Sequence, residues 1–155
     1  MTTTQAFVGT GASQTVSHTF GAGPNYATYF TLGGPEEWAT LTHFDCHGLG
    51  LTGDTPSLTA SAALINIVLS SNAFTGYTAS TIAATCVYFT ASNNLLTEAA
   101  VDQILADFAT GIAGRPAVGQ IILNGTGNAA PSAEGVASRN AILAAKPGWT
   151  VTVNS

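Results

Sequence analysis

The sequence predicts an α/β solenoid, a short stack of repeats sharing one parallel sheet behind a β-rich N-terminal segment. Two observations carry this. Four segments repeat one eleven-residue hydrophobic frame, and the spacing of equivalent positions suits a stacked supersecondary unit. A third observation, a very low content of charged residues, bears on what the stack is for.

The frames begin with Leu41-Thr-His-Phe44-Asp-Cys46-His-Gly-Leu49-Gly-Leu51 and Leu64-Ile-Asn-Ile67-Val-Leu69-Ser-Ser-Asn72-Ala-Phe74. They continue with Cys86-Val-Tyr-Phe89-Thr-Ala91-Ser-Asn-Asn94-Leu-Leu96 and Val118-Gly-Gln-Ile121-Ile-Leu123-Asn-Gly-Thr126-Gly-Asn128. A broken fifth copy is Trp149-Thr-Val151-Thr-Val153-Asn154. Phe44, Ile67, Phe89, Ile121 and Trp149 are thereby separated by 23, 22, 32 and 28 residues.

In chain order, residues 1–37 read as a separate β-rich segment, either a cap over the first repeat or an attachment arm. Residues 5–20 are rich in Thr and Gly with loose alternation, and Ala27-Thr-Tyr-Phe-Thr-Leu32 is a strand candidate ended by Gly33-Gly-Pro35. Residues 38–155 form the solenoid. Each repeat carries a short strand whose alternate residues face the core, so Phe44/Cys46, Ile67/Leu69, Phe89/Ala91, Ile121/Leu123 and Trp149/Val151 stack in register. Asn72 and Asn94 follow three residues behind the second inward side chain. There an inward carboxamide satisfies backbone groups as the chain leaves the strand. Leu49 holds that place in the first frame and Thr126 in the fourth. Gly48 and Gly50 open left-handed turn conformations around Leu49.

The return segments differ. Residues 53–58 and 75–82 read as irregular or single-turn connections. Thr97 and Glu98 cap a helix with apolar residues at helical spacing through Val101, Ile104, Leu105 and Phe108. That helix explains the 32-residue interval. A second helix runs from Pro131-Ser-Ala-Glu134 to about Ala145 and is stopped by Pro147-Gly148.

Composition narrows the function. At 155 residues the chain reads as one stack with a substantial core. Arg115, Arg139 and Lys146 are its only basic residues against eight acidic ones, which argues against a nucleic-acid partner, since displacing counterions needs a cationic footprint. Charged residues make up 7%, far below the roughly 25% of ordinary soluble domains. A surface so weakly charged has little colloidal repulsion and points to coverage by other subunits; the alternative is a Thr/Ser/Asn/Gly-rich surface kept soluble by neutral polar groups. No stretch reaches the roughly 20 apolar residues of a membrane-spanning helix, so no membrane partner is expected. Residues 1–5 lack the features of a secretory signal, so synthesis in a cytosol without general export is expected. Cys46 and Cys86 point inward two repeats apart, roughly 10 Å at ~4.8 Å per strand, and read as reduced core residues.

The outward residues form columns. One is His43, Asn66, Tyr88, Gln120 and Gly148; the next is Asp45, Val68, Thr90, Ile122 and Thr150. A third, at the strand ends, is His47, Ser70, Ser92, Asn124 and Thr152. Of these, His43, Asp45, Asn66, Tyr88, Thr90 and Gln120 are the candidate binding residues, a mostly neutral surface with one aromatic, suited to hydrogen bonding and stacking. His43, Asp45 and His47 share a face and are ligand types for a divalent ion. Adjacent repeats offer Asn66, Val68 and Ser70, and only His18 could add an imidazole, so no metal or other cofactor is expected. Neither a Gly-x-Ser-x-Gly elbow nor a phosphate-cradling loop occurs, and no enzymatic activity is expected. Asn124-Gly-Thr126 is an N-glycosylation triplet that reads as a turn.

The frame LxxLxLxxNxL resembles the leucine-rich repeat. Asn72-Ala-Phe74-Thr-Gly76 resembles its N-x-L-T-G variant, and Leu49-Gly-Leu51-Thr-Gly53 is similar with the Asn replaced. Residues 94–105, 119–133 and 148–154 are also similar to segments of predicted bacteriophage and prophage structural proteins. That second likeness implies a virion component on the particle surface, such as a capsid decoration or tail-fibre protein. Its partners would be other virion proteins and itself. The small size of the chain favours an accessory component. The alternative expectation is a stand-alone module that recognises a host glycan or protein through the sheet face.

Overall fold

The computed structural model describes residues 14–17, 41–59 and 61–155. Its elements are β1 (Gln14–Ser17), β2 (Leu41–Asp45), β3 (Thr52–Thr55), β4 (Asn66–Val68), β5 (Ala73–Tyr77), β6 (Tyr88–Thr90), α1 (Glu98–Gly111), a 3₁₀ turn (Ile112–Gly114), β7 (Val118–Ile122), α2 (Ala133–Ala145) and β8 (Gly148–Thr152). The strand expected at 27–32, His18 and most of the 1–37 segment lie outside the described residues; within that segment β1 pairs parallel with β2.

The fold is α/β. All pairings in the main sheet, ordered β1-β2-β4-β6-β7-β8, are parallel. Phe44, Ile67, Phe89 and Ile121 lie side by side, as the frames require. Each is at most 1% exposed, and the second inward residues Cys46, Leu69, Ala91 and Leu123 are equally closed off. The fifth frame departs from expectation. Ile121 pairs with Val151, and Trp149 lies beside Gly119, two residues earlier. The indole needs the space a glycine leaves, because a Cβ on Gly119 would meet the ring at 2.5 Å. Its Nε1 donates to the Pro116 carbonyl at 2.9 Å, which fixes this register.

A second, two-stranded parallel sheet joins β3 to β5, where irregular connections are expected from sequence. Thr-Gly-Asp-Thr has little strand propensity. The in-register main sheet brings the two segments alongside, and the Ala73 N–H donates to the Leu51 carbonyl at 2.7 Å. The Asp54 carboxylate rests against Gly76, at a place where any Cβ would collide.

The asparagine ladder is longer than the frames predict. Asn72 accepts from the Leu49 and Leu51 N–H groups and donates to the Cys46 and Leu69 carbonyls. Asn94 accepts from Phe74 N–H and donates to Leu69 and Ala91. The next rung is Asn128, not Thr126: it accepts from Leu96 N–H and donates to Ala91 and Leu123. Asn154 closes the series on Gly125 and Asn128. Each carboxamide therefore ties its own frame to the preceding one. Leu49 needs no carboxamide of its own for this, because Asn72 reaches back to it. The chain turns left-handed just before Leu49, Asn72 and Asn94, at Gly48, Ser71 and Asn93, with φ of 68°, 59° and 53°.

Both helices form where the sequence places them. Thr97 Oγ1 accepts from Ala100 N–H, and Ser132 Oγ from Glu134 and Gly135. α1 buries Ala100, Val101, Ile104, Leu105 and Phe108. Phe108 meets Phe89 edge-on at 5.3 Å and Trp149 at 6.1 Å.

All three cations serve the backbone. Arg115 is 3% exposed and lies over the Phe108 ring at 4.6 Å. Its guanidinium donates to the carbonyls of Ile82, Ala83 and Cys86. Burial pulls its pKa down. Arg139 donates to the Val151 carbonyl, and Lys146 to that of Arg115.

Cys46 and Cys86 are free and buried. Burial pushes their thiols up to about 12 and about 11, respectively, from 9.0. The thiolates are therefore absent at neutral pH, and a thiol reagent is expected to label the native chain at pH 8 only as fast as it unfolds. The raised values also set a stability trend. The folded chain holds these protons after the unfolded chain has lost them, so their contribution is intact below pH 9 and declines as pH rises toward 11–12. Urea titrations from pH 8 to 11 are expected to show falling stability, and Cys86→Ala is expected to flatten part of that fall.

Candidate functional site

The outer face of the main sheet is set by alternation. With Phe44, Ile67, Phe89 and Ile121 inward, the residues on either side of each point away from the core. The first row reads His43, Asn66, Tyr88, Gln120 and, after the register change, Thr150 in place of Gly148. The second reads Asp45, Val68, Thr90, Ile122 and Thr152 in place of Thr150. Both rows lie across adjacent strands about 4.8 Å apart.

The six candidate binding residues divide by what they already touch. His43 Nδ1 lies 3.0 Å from Thr42 Oγ1. Asp45 Oδ1 lies 2.7 Å from His47 Nδ1 and accepts the His47 N–H at 3.0 Å. These contacts hold the H-x-D-x-H residues in two separate local pairs. Among the described residues no three His, Cys, Asp or Glu side chains are grouped to hold a metal ion. Thr90 is 4% exposed, in register between Val68 and Ile122, and its hydroxyl sits 3.2 Å from Ser92 Oγ. It offers almost no surface to a ligand, although its place in the outward column is as expected.

Asn66, Tyr88 and Gln120 are different. All three are half-buried, adjacent in register, and their side-chain polar groups have no hydrogen-bond partner among the described residues. The contrast with the inward carboxamides is chemical. Asn72, Asn94, Asn128 and Asn154 have both donor and acceptor engaged by the backbone. Beside this row, Val68 and Ile122 add half-buried aliphatic surface. The central face is thus a neutral strip with two carboxamides, a phenol between them and an apolar margin.

That strip offers hydrogen-bond donors, acceptors and one aromatic ring. The remaining structural carboxamides, Asn128 and Asn154, escape the sequence frame. Asn128 is displaced by the two extra turn residues around Gly125 and Gly127, which have φ of 113° and 101°. The Gly-Thr-Gly run is the one signal that could reveal the displacement. Comparison of the chain with protein-family models, with curated proteins and with solved structures finds no match.

Proposed function

We propose that this chain is a non-enzymatic structural protein of a bacteriophage particle, a capsid decoration or tail-fibre surface component. It is built as a short leucine-rich-repeat-like solenoid, made in the host cytoplasm, displayed on the virion surface and held there through residues 1–37. The observation that carries this reading is the state of the charges. Lys and Arg number only three, and among the described residues each donates to a backbone carbonyl and none pairs with a carboxylate. A surface left with so little mixed charge gains from being covered by neighbouring copies or other virion proteins. The repeat frames and their ladder support the solenoid, and the resemblance of residues 94–154 to virion proteins supplies the setting.

The test is the composition of gradient-purified particles from a phage encoding this chain. The chain is expected among the particle proteins by mass spectrometry, and deletion of residues 1–37 is expected to release it. Its absence from intact particles would reject the proposal. Retention after the deletion would reject the anchoring role alone.

The unengaged polar row favours a second reading, a recognition module that meets a host molecule through the sheet face. In that reading Asn66, Tyr88 and Gln120 carry the contact, and His43 and Asp45 flank it.

A further inference from the structure

We infer that the row formed by Asn66, Tyr88 and Gln120 is a contact surface for a neutral saccharide. This rests on the second reading above, recognition through the sheet face, and it names the ligand class. Three observations select that class.

The first is hydrogen-bonding capacity. Two carboxamides and a phenol stand on three consecutive strands with no partner among the described residues. Each carboxamide can donate and accept at once, which matches vicinal sugar hydroxyls that also do both. At ~4.8 Å per strand, Asn66 and Gln120 straddle Tyr88 across roughly 10 Å, enough to grip hydroxyls on either side of a ring seated on the phenol. The second is surface character. Tyr88 supplies an aromatic face with negative quadrupole for polarised C–H groups, and Val68 and Ile122 border it with aliphatic surface. A sugar carries both kinds of surface.

The third is charge. The row is neutral, and Arg115, Arg139 and Lys146 are all engaged by backbone carbonyls elsewhere. A sialylated, sulfated or phosphorylated ligand finds no counter-ion here, and the nearest acid on the face, Asp45 on β2, would repel it. Contact through three side chains gives weak single-site binding. Several copies held side by side on an assembly would multiply it through avidity.

The experiment uses the full chain on an array of neutral hexose and N-acetylhexosamine oligosaccharides with sialylated and sulfated counterparts, at low and high NaCl. Binding to a neutral oligosaccharide that persists at high salt is expected, since no ion pair is involved. Tyr88→Ala is expected to weaken it by about tenfold or more, and Asn66→Ala or Gln120→Ala by about fivefold each. Tyr88→Phe keeps the ring and is expected to lose less than Tyr88→Ala. Unchanged thermal unfolding of Asn66→Ala and Gln120→Ala separates lost contact from lost fold. Binding to no neutral saccharide, binding to acidic sugars alone, or binding indifferent to all these substitutions would overturn the inference. If no sugar binds but Tyr88→Ala abolishes self-association, the face recognises a second copy: the saccharide is rejected while recognition through the face stands.

Discussion

Replacing Asn94 with alanine is expected to remove about 2–4 kcal/mol of stability, read as a shift of the urea midpoint and a fall in Tm of roughly 10 °C. Asn94 is 1% exposed, and its carboxamide oxygen accepts from the buried Phe74 N–H at 3.1 Å. It also donates to the Leu69 and Ala91 carbonyls, at 3.1 and 2.9 Å. Alanine takes the acceptor from the Phe74 N–H in a space that water cannot readily reach, at about 1–3 kcal/mol, while the Leu69 and Ala91 carbonyls lose one bond each and keep Asn72 and Asn128 as donors. Asn94→Asp keeps the acceptor and loses the donor, so it is expected to be as damaging, now with a carboxylate facing two carbonyls. Asn66→Ala is the control. Its side chain has no partner among the described residues, and its effect is expected within about 0.5 kcal/mol. Equal effects at 66 and 94 would contradict the division between an engaged inner ladder and a free outer row.

Arg115→Met carries the second large effect, about 2–4 kcal/mol. Two contributions oppose each other here. Burial without a carboxylate disfavours the cation and pulls its pKa down, and Nε has no partner, so its removal brings some relief. Against that, the Ile82, Ala83 and Cys86 carbonyls lose a guanidinium donor, and Phe108 loses a cation over its ring. The Ala83 carbonyl keeps the Cys86 N–H, but the Ile82 and Cys86 carbonyls lose the guanidinium, and at about 1–3 kcal/mol each they outweigh the relief. Lysine does not substitute: a single ammonium lacks the planar fork that serves carbonyls on both guanidinium nitrogens. Arg115→Lys is therefore expected to recover less than half of the loss in the same urea titration. Recovery of the whole would mean that the charge alone, without its geometry, holds this segment.

The fold is legible wherever local chemistry and repeat agree. Thr97 announces its helix by the cap chemistry it performs, and Pro131 marks the start of the second, where Ser132 proves to be the cap. The inward pairs from Phe44 to Ile121 follow from alternation plus period. The frame fails at Trp149, because apolar matching aligns it with Ile121, whereas packing places the large indole where Gly119 leaves room. It fails at Asn128 because a turn longer by two residues moves the rung without moving its bonds. β3 and β5 escape because their pairing comes from neighbours far along the chain and not from their own propensity. On the face, alternation gives the two rows. It does not give which polar groups are already engaged, and that depends on contacts such as His43 with Thr42 and Asp45 with His47. Nor does it reveal that Thr90, though outward, is closed over. The candidate surface contracts for those reasons to Asn66, Tyr88 and Gln120.

The most direct test of the central claim, that this weakly charged surface is built to be covered, is the mass of the full chain in solution. Light scattering over a range of concentrations is expected to give a discrete multiple of 15.6 kDa, or larger assemblies that grow with concentration. A mass that stays at 15.6 kDa at high concentration would contradict assembly of the chain with itself.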